Sequence, residues 1–357
     1  MAVLDAWFEA ASAHLPAGAD VWDAHTHTGS ADPDGVTNTA EALIAALDGA
    51  GLGGAVVMSS RDPSGYRDAN DRILAEAVDH PDRLIPFLRV DPNHPGAVDE
   101  ATRSLERGHR GVKLHPRGES FSLDHPRVAD VARSAAEVGA PLLVHAGRGM
   151  PPLGRAVLDL VDDAGVAVIL AHCGISDLAW LVPEARSRPG ILFDTAWWNP
   201  ADLALLFASV NASQVLYASD TPYGSPSMNV VLTMRAAVQA ALDDAALAAV
   251  FGGNLQAVVS GEERAPLGMG DGPRLDAAMM RIASYASGAI SVSLAGGDPT
   301  EAIELALRSS ETSDDGISTA IHQTLEAALH SAGRTRLGCL VAAASAAFTP
   351  DVPWPRL

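Results

Sequence analysis

Residues 21–30, which read VWDAHTHTGS, place three metal-competent side chains, Asp23, His25 and His27, at alternate positions behind a short apolar run. Residues two apart on a β-strand project to the same face. His25 and His27 can therefore share one ion at about 2.0–2.1 Å from each ring nitrogen. Asp23 lies deeper on the same face, where a carboxylate can fix the orientation of a ligating imidazole. The stretch predicts one edge of a metal site.

Polar residues also end the later apolar runs of the sequence. The fourth run ends in Lys113 and His115, the fifth in His145, the sixth in His172, the seventh in Asp194 and the eighth in Asp220. Five of the 12 histidines stand at run ends, which argues against chance placement. His145 and Asp220 can add a third nitrogen and a hard oxygen to the two imidazoles and leave one position for water, as catalytic metal sites do.

The elements that must position these residues alternate along the chain. Eight short runs rich in Val, Ile and Leu recur about every 25–35 residues: DVWDAH, GAVVMS, LIPFLRV, GVKLH, PLLVHA, VAVILAH, ILFDTA and QVLYASD. Segments with helical spacing lie between them, and those at residues 39–51 and 124–140 end near a glycine, as helix C-caps do. Apolar strands that alternate with helices are typical of parallel sheets. We predict an α/β fold, a (β/α)8 TIM barrel, which typically needs about 250 residues. An open doubly wound sheet is the alternative, but no glycine-rich nucleotide fingerprint follows the first run.

The character of the chain changes near Glu262. A linker-like stretch, GEERAPLGMGDGP, is followed by Ala-rich segments with helical spacing. Asp298, Pro299 and Glu301 occupy the N-cap, N1 and N3 positions of a predicted helix. We therefore predict a barrel domain over residues 1–261 and a C-terminal helical extension over residues 262–357.

Charge and cysteine content exclude several classes of partner. The chain has 44 acidic and 24 basic residues, a formal net charge of -20. This charge repels polyanions, so we expect neither nucleic acid nor an anionic membrane surface as a partner. Cys173 and Cys339 provide no disulfide framework, and the N-terminus has no basic segment before an apolar stretch, so we expect a cytoplasmic protein. The sequence contains no run of about 18 apolar residues, the length that a membrane-spanning helix requires.

Six motifs occur in a fixed order over about residues 19–260: DAHTH, GVKLHP, LLVHAG, LAHCG, LYASDTPYG and GGN. Each motif alone is a weak signal. Together they resemble the amidohydrolase superfamily, specifically the amidohydrolase-2 group of aminocarboxymuconate semialdehyde decarboxylase-like metal-dependent hydrolases. The resemblance implies a metal-dependent (β/α)8 enzyme. The segment after Glu262 is not part of the usual pattern.

The resemblance implies a role for each matching residue. His25, His27, His145 and Asp220 would bind one divalent metal ion, for which we expect zinc, with manganese or another divalent ion as alternatives. His172 would stand near the metal-activated water as an acid or base. Asp220 would accept a proton in addition to binding the metal. A zinc-bound water titrates near neutrality, and an adjacent imidazole can shuttle its proton.

Lys113 has two interpretations. In binuclear members of the superfamily a carboxylated lysine on the fourth strand bridges two metals. In the amidohydrolase-2 group the lysine of VKLHP accompanies a single metal, so we favour a substrate-binding ammonium group. His115 either extends the site or packs below the loop, and both interpretations stay open.

Candidate substrate-binding residues follow several of the runs. Four arginines fall at or just after predicted strand ends: Arg61, Arg89, Arg117 and Arg148. Arginines suit an anionic group of a substrate, although a single arginine also forms ordinary surface ion pairs. Trp197 and Trp198 can wall a ring or another apolar group, or pack under a loop. The predicted substrate-binding set is Lys113, Arg89, Arg148 and Trp197.

These residues lead to a functional hypothesis. We expect a metal-dependent hydrolase that cleaves an amide, lactone or ester bond of a small anionic substrate through a metal-activated water. The alternative is nonoxidative decarboxylation of a small carboxylic acid at the same metal. A non-enzymatic binding module is disfavoured because every expected ligand residue is present. The expected partner is a small molecule, and a homodimer is the common oligomeric state.

Overall fold

Nine strand segments run through the residues that the computed structural model describes, namely 2–147, 149–272, 275–311 and 316–355. The segments are β1 (Trp22–Thr28), β2 (Gly54–Ser59), β3 (Leu84–Pro86), β4 (Leu88–Arg89), β5 (Val112–Leu114), β6 (Leu142–Val144), β7 (Val168–Leu170), β8 (Ile191–Asp194) and β9 (Val215–Leu216). Only Phe87 separates β3 from β4, so these two segments form one strand of the barrel. The described chain therefore contains the eight strands that the apolar runs predicted.

The strands pair in parallel and in chain order, β1 to β3 in one sheet and β4 to β9 in the other. Phe87 connects the two sheets because its amide donates a hydrogen bond to the Val57 carbonyl of β2 at 2.9 Å. At the other seam the Ala24 amide of β1 donates to the Tyr217 carbonyl, just after β9, at 2.9 Å. Thr26 and Thr221 form a parallel β-bridge further along that seam. The fold is the predicted (β/α)8 barrel.

The helices alternate with the strands and then continue alone. The barrel part contains α1 (Ala2–Ser12), α2 (Ala40–Gly49), α3 (Arg67–Asp79), α4 (Ala97–Glu106), α5 (Pro116–Glu119), α6 (Pro126–Glu137), α7 (Gly154–Ala164), α8 (Leu178–Ala185), α9 (Pro200–Ser209), α10 (Pro226–Gln239), α11 (Asp244–Ala248) and α12 (Asn254–Ser260). The C-terminal part contains α13 (Ala277–Leu294), α14 (Thr300–Ser310), α15 (Gly316–Leu329) and α16 (Gly333–Phe348). Among the described residues, none of these helices combines the length and apolar character that spanning a bilayer requires.

Local sequence signals account for several helix ends. Gly51 and Gly139, just beyond α2 and α6, have left-handed φ values of 68° and 69°, as expected for glycine C-caps. Asp298 Oδ1 accepts a hydrogen bond from the Thr300 amide at 3.1 Å, but Pro299, not Asp298, is the N-cap residue of α14. The helix itself begins at Thr300, one residue later than predicted. The division of the chain after residue 261 stays a prediction.

The interior of the barrel is apolar where the strands begin. Inward-facing side chains such as Val56, Leu143 and Leu192 form this core, and α12 packs Leu255 and Val258 into it. Active sites of (β/α)8 barrels lie at the opposite end, where the strands finish. The polar residues that end the apolar runs lie at that carboxyl end.

The C-terminal helices share a hydrophobic core with the barrel. α16 packs against α1, α9 and α10. The Trp7 indole N–H of α1 donates to Thr324 Oγ1 of α15 at 2.9 Å. The Arg235 guanidinium of α10 lies 4.9 Å from the Trp7 ring centroid and donates to the Thr349 and Pro353 carbonyls at 2.9 and 2.8 Å. These contacts join both ends of the chain to one face of the barrel.

Arg235 tests this connection. Its guanidinium is buried and forms no ion pair with the described residues, and burial lowers its pKa to about 9. Replacing Arg235 by Met leaves the carbonyl groups that follow α16 without their hydrogen-bond donor. We therefore predict that Arg235→Met lowers the free energy of unfolding by about 1–3 kcal/mol. Urea unfolding measures the change. Arg281→Met, on the exposed side of α13, is the matched control and should change stability by less than about 0.5 kcal/mol. Equal stabilities of the two variants would contradict this role.

Candidate metal centre

Two imidazoles of β1 face each other at the carboxyl end of the barrel. His25 and His27 are buried, and their Nε2 atoms lie 3.1 Å apart. His25 Nδ1 lies 2.8 Å from Asp194 Oδ2 of β8, and His27 Nδ1 lies 3.2 Å from the Ser59 carbonyl oxygen of β2. Alternation along β1 places both rings on one face, and β2 and β8 set their orientations.

These outer hydrogen bonds determine the tautomers. A carbonyl oxygen and an ionised carboxylate only accept, so each Nδ1 carries the proton and each Nε2 presents a lone pair. Burial lowers the pKa of both imidazoles and keeps them neutral. Asp220 Oδ1 lies 3.4 Å from His25 Nε2 and 3.2 Å from His27 Nε2, and it has no hydrogen-bond partner among the described residues. Three acceptor atoms thus converge.

This set of donor atoms suits a divalent cation. The ligand atoms of His25, His27 and Asp220 all lie within 4.8 Å of one another. Two imidazole nitrogens and a carboxylate oxygen are ligand types of catalytic zinc sites. Lys113 Nζ lies 2.7 Å from His25 Nε2, and a bound cation would compensate the repulsion among all three acceptors. The residues present therefore fit the metal that the sequence predicted.

His145 and His172 form a second imidazole pair beside this centre. His172 Nδ1 lies 2.7 Å from the Ala196 carbonyl oxygen, so Nδ1 carries the proton, and Nε2 faces His145 Nδ1 at 3.0 Å. His145 Nε2 is buried and, within the described part of the chain, has no hydrogen-bond partner. His145 is not a member of the group of three ligands. Its metal-binding role therefore stays a prediction.

His172 and Asp220 have unusual backbone conformations. Their φ values of 58° and 59° fall in the left-handed region, which residues other than glycine rarely adopt. The His172 amide donates to Asp194 Oδ1 at 2.8 Å, and the Asp220 amide donates to the His25 carbonyl at 2.8 Å. Such conformations cost about 1–3 kcal/mol each and persist where the surroundings enforce them, often at functional sites. The hydrogen bonds to Asp194 and to β1 provide that enforcement here.

Lys113 and Arg89 lie within the site but already have partners. The Lys113 ammonium is buried, and its Nζ lies 2.7 Å from His25 Nε2. Burial lowers the pKa of Lys113 to about 7, against the opposing influence of Asp220. Arg89 is buried and donates to Glu119 Oε1 at 2.6 Å, so its charge is balanced inside the protein. Both residues line the cavity above the metal centre, and their roles toward a substrate stay predictions.

The remaining predicted site residues differ in position. The Trp197 indole N–H donates to Asp202 Oδ2 at 2.6 Å, and the Trp197 ring lies 6.1 Å from that of His172. Arg148 lies outside the described residues.

His115 Nδ1 caps α5 by accepting from the Gly118 amide at 2.9 Å, and its ring stacks on His145 at 3.9 Å between centroids. His115 therefore extends the wall of the site and also fixes the loop.

Asp23 does not orient an imidazole, so that expectation was wrong. Its Oδ1 accepts from the amides of His25 and Ser219 at 3.0 Å each, which fastens β1 to the segment after β9. Burial raises the pKa of Asp23 to about 7. Asp194 is the carboxylate that holds His25. Its place at the end of the seventh run was visible in the sequence, but its partner was not.

A cavity of about 570 Å³ opens above the candidate metal centre. Arg61 and Arg117 line it together with the predicted ligands, and so do the carboxylates of Asp32 and Asp34. Tyr223 donates a short hydrogen bond to Asp32, and both residues also line the cavity. Sequence reasoning did not single out this Tyr–Asp pair, because the two residues lie far apart in the chain. The cavity volume suits a small organic ligand.

Comparisons with known proteins agree with this fold. The profile of the amidohydrolase family matches residues 14–258. A probable 2-pyrone-4,6-dicarboxylic acid hydrolase from Acinetobacter baumannii, solved with citric acid bound, is similar at 15% identity, covering 68% of this chain and 99% of that chain with a TM-score of 0.53. 5-Carboxyvanillate decarboxylase LigW from Sphingomonas paucimobilis is similar at 14% identity, covering 68% of this chain and 99% of that chain with a TM-score of 0.54. 4-Oxalomesaconate hydratase LigJ from Rhodopseudomonas palustris is similar at 16% identity, covering 67% of this chain and 95% of that chain with a TM-score of 0.52. No curated protein sequence matches the chain.

Asp194 provides a test of the metal centre. Because Asp194 holds the tautomer of His25, Asp194→Asn should weaken zinc binding about 10- to 100-fold. Titration of zinc against a competing chelator measures the affinity, and circular dichroism confirms that the variant is folded. Asp202→Asn, which alters a carboxylate bonded to Trp197 outside the three ligands, is the control and should bind zinc like the wild type. Unchanged affinity of Asp194→Asn would disprove the orienting role.

Proposed function

This chain belongs to the amidohydrolase family, and we propose that it is a metal-dependent hydrolase that cleaves an amide, ester or lactone bond of a small anionic substrate. The observation that carries the proposal is the convergence of His25, His27 and Asp220 beside His172, an imidazole with a fixed tautomer. This convergence lies at the end of the barrel where (β/α)8 enzymes carry out chemistry.

We propose a ligand set of His25, His27, His145 and Asp220 for one divalent ion, with zinc as its identity. Once bound, such an ion activates a water molecule and polarises a carbonyl oxygen of the substrate. His145 supports this assignment because its Nε2 is a buried acceptor with no hydrogen-bond partner among the described residues. The tautomers set by Asp194 and Ser59 keep Nε2 of His25 and of His27 unprotonated, as a metal ligand must be.

His172 is the proposed acid–base residue. Its Nδ1–H is engaged by the Ala196 carbonyl at 2.7 Å, so Nε2 is the atom that takes up a proton and returns it to the leaving group. The backbone at His172 is left-handed, and its ring centroid lies 5.4 Å from that of the proposed ligand His25. Asp220 is the second proposed proton acceptor, since its Oδ1 faces the same space.

The cavity supports an anionic substrate. Arg61 and Arg117 line its wall, and an arginine can bind a carboxylate with two parallel hydrogen bonds. Lys113 adds an ammonium beside His25. We propose Lys113, Arg89 and Arg148 as substrate-binding residues and Trp197 as an apolar wall beside the reacting group. The protein would act on a small molecule.

Nonoxidative decarboxylation is the second candidate. Trp197 and Trp198 lie 5.4 Å apart between ring centroids at the cavity wall, next to His172. A carboxylate held against such apolar surface is poorly solvated, and its loss as neutral carbon dioxide relieves that cost. His172 would then protonate the carbon left behind.

Two histidine variants test the division of roles. We predict that His25→Ala loses bound metal, because one of the three converging ligands is removed. His172→Ala should retain about one metal per chain and lose turnover about 100- to 10,000-fold, because it removes a proton-transfer group. Elemental analysis and rate measurements on the same preparations give both quantities. Loss of metal from His172→Ala would show that His172 is a ligand instead.

A substrate panel tests the reaction class. Lactones, amides and esters that carry a carboxylate should release acid, measured with a pH indicator, and the rate should fall when a chelator removes the metal. Aromatic carboxylic acids serve as the comparison and should yield no carbon dioxide. Release of carbon dioxide without hydrolysis of any panel member would overturn the proposal in favour of the decarboxylase.

A further inference from the structure

We propose that the C-terminal helices complete the active site by building an apolar subsite, which takes an alkyl or aryl group of the substrate. The inference rests on the proposed function for the position of the reacting bond. It assigns a role to a part of the chain that the family match does not reach, because that match ends at residue 258.

The subsite is a second cavity of about 540 Å³ between the barrel mouth and the extension. It adjoins the cavity above the metal centre, and the two cavities share six lining residues: His172, Trp197, Trp198, Asp220, Tyr223 and Leu294. The proposed acid–base residue and a metal ligand therefore stand at the junction. A substrate whose reacting group lies at Asp220 can extend into both cavities.

The walls of the second cavity are mostly apolar. Met228 and Leu232 of α10 line the barrel side, and Leu337 and Val341 of α16 line the extension side. Leu294, the last residue of α13, is 41% exposed and stands at the rim. These side chains offer dispersion contacts and no hydrogen bonds, so the cavity favours a hydrocarbon group.

Several polar groups that line the second cavity already have partners, whereas Asp220 Oδ1, at the junction with the first cavity, has none among the described residues. The Asn229 amide group donates to the Ala218 carbonyl at 2.7 Å within the barrel. The Tyr223 hydroxyl donates to Asp32. Arg334 is exposed at the start of α16, where water solvates it. A hydrocarbon group can therefore occupy the part of the cavity beyond Asp220 without removing water from an unpaired polar atom of Asn229 or Tyr223, which would otherwise oppose binding.

The two cavities differ in charge. The first cavity is lined by charged groups of both signs, with Arg61, Lys113 and Arg117 beside Asp32 and Asp34. The second is walled by the aliphatic side chains of α10 and α16, with Arg334 as its one added charged side chain among the described residues. The reacting bond lies between them, at Asp220 and His172. The substrate class that matches this arrangement carries an anionic group on one side of the bond and a hydrocarbon group on the other.

Thr335 allows the subsite to be blocked. It lines only the second cavity, near the start of α16, and is half-buried. A tryptophan at this position would occupy space that the hydrocarbon group needs. Thr319, on the exposed side of α15, lines neither cavity, so Thr319→Trp is the matched control. Melting temperatures establish that both full-length variants are folded.

The experiment uses monoalkyl succinates from methyl to octyl as substrates and straight-chain carboxylates from propionate to decanoate as unreactive ligands. In the wild type and in Thr319→Trp, kcat/KM and calorimetric affinity should rise about fourfold for each added methylene until the cavity is full. In Thr335→Trp the rise should disappear. Leu337→Ala enlarges the cavity and should move the preferred chain length upward, which provides a second measurement if Thr335→Trp fails to fold.

The outcomes separate the two proposals. Affinity that rises with chain length in the wild type but not in Thr335→Trp supports the subsite, even if no succinate is hydrolysed. In that case the subsite stands, and the panel of lactones, amides and esters decides the reaction class separately. Affinity and kcat/KM that do not depend on chain length in the wild type overturn the subsite, and so does a rise that Thr335→Trp leaves intact.

Discussion

The carboxylate of Asp194 is the constraint on which the site depends. One oxygen accepts the His25 Nδ1 proton at 2.8 Å, and the other accepts the backbone amides of His172 and Ala196 at 2.8 and 3.0 Å. A single side chain thus fixes the tautomer of a proposed ligand and the backbone of the proposed acid–base residue. Because Asp194 is fully buried, these hydrogen bonds face little competition from water.

The site combines this rigidity with local strain. His172 and Asp220 both adopt left-handed backbone conformations, which the unfolded chain would rarely populate. The energy that enforces them comes from the surrounding barrel, whose strands pair in parallel around an apolar interior. The strained backbone therefore lowers the stability of the scaffold but fixes the position of the reactive groups, as is common in enzymes.

The C-terminal helices contribute more than an appended domain would. They are joined to the barrel through Trp7, Arg235 and a shared core, and they supply one wall of a cavity next to the proposed metal ligands. Barrel loops usually determine the specificity of this fold. In this chain helices from outside the barrel stand where such loops would contact a substrate, which links the proposed specificity to the integrity of the extension.

Much of this protein is determined by local sequence alone. The eight apolar runs set the strands, and the glycines at positions 51 and 139 mark helix ends. Alternation along β1 places His25 and His27 on one face. These features depend on residues close together in the chain, so their pattern is readable without coordinates.

Tertiary structure decided which groups meet. Asp194 holds His25 across 169 positions of sequence, Asp23 binds backbone amides instead of an imidazole, and α16 reaches the cavity beside Asp220. Hydrogen bonds and cavities of this kind depend on the distance between side chains in space, and spacing along the chain carries no record of that distance.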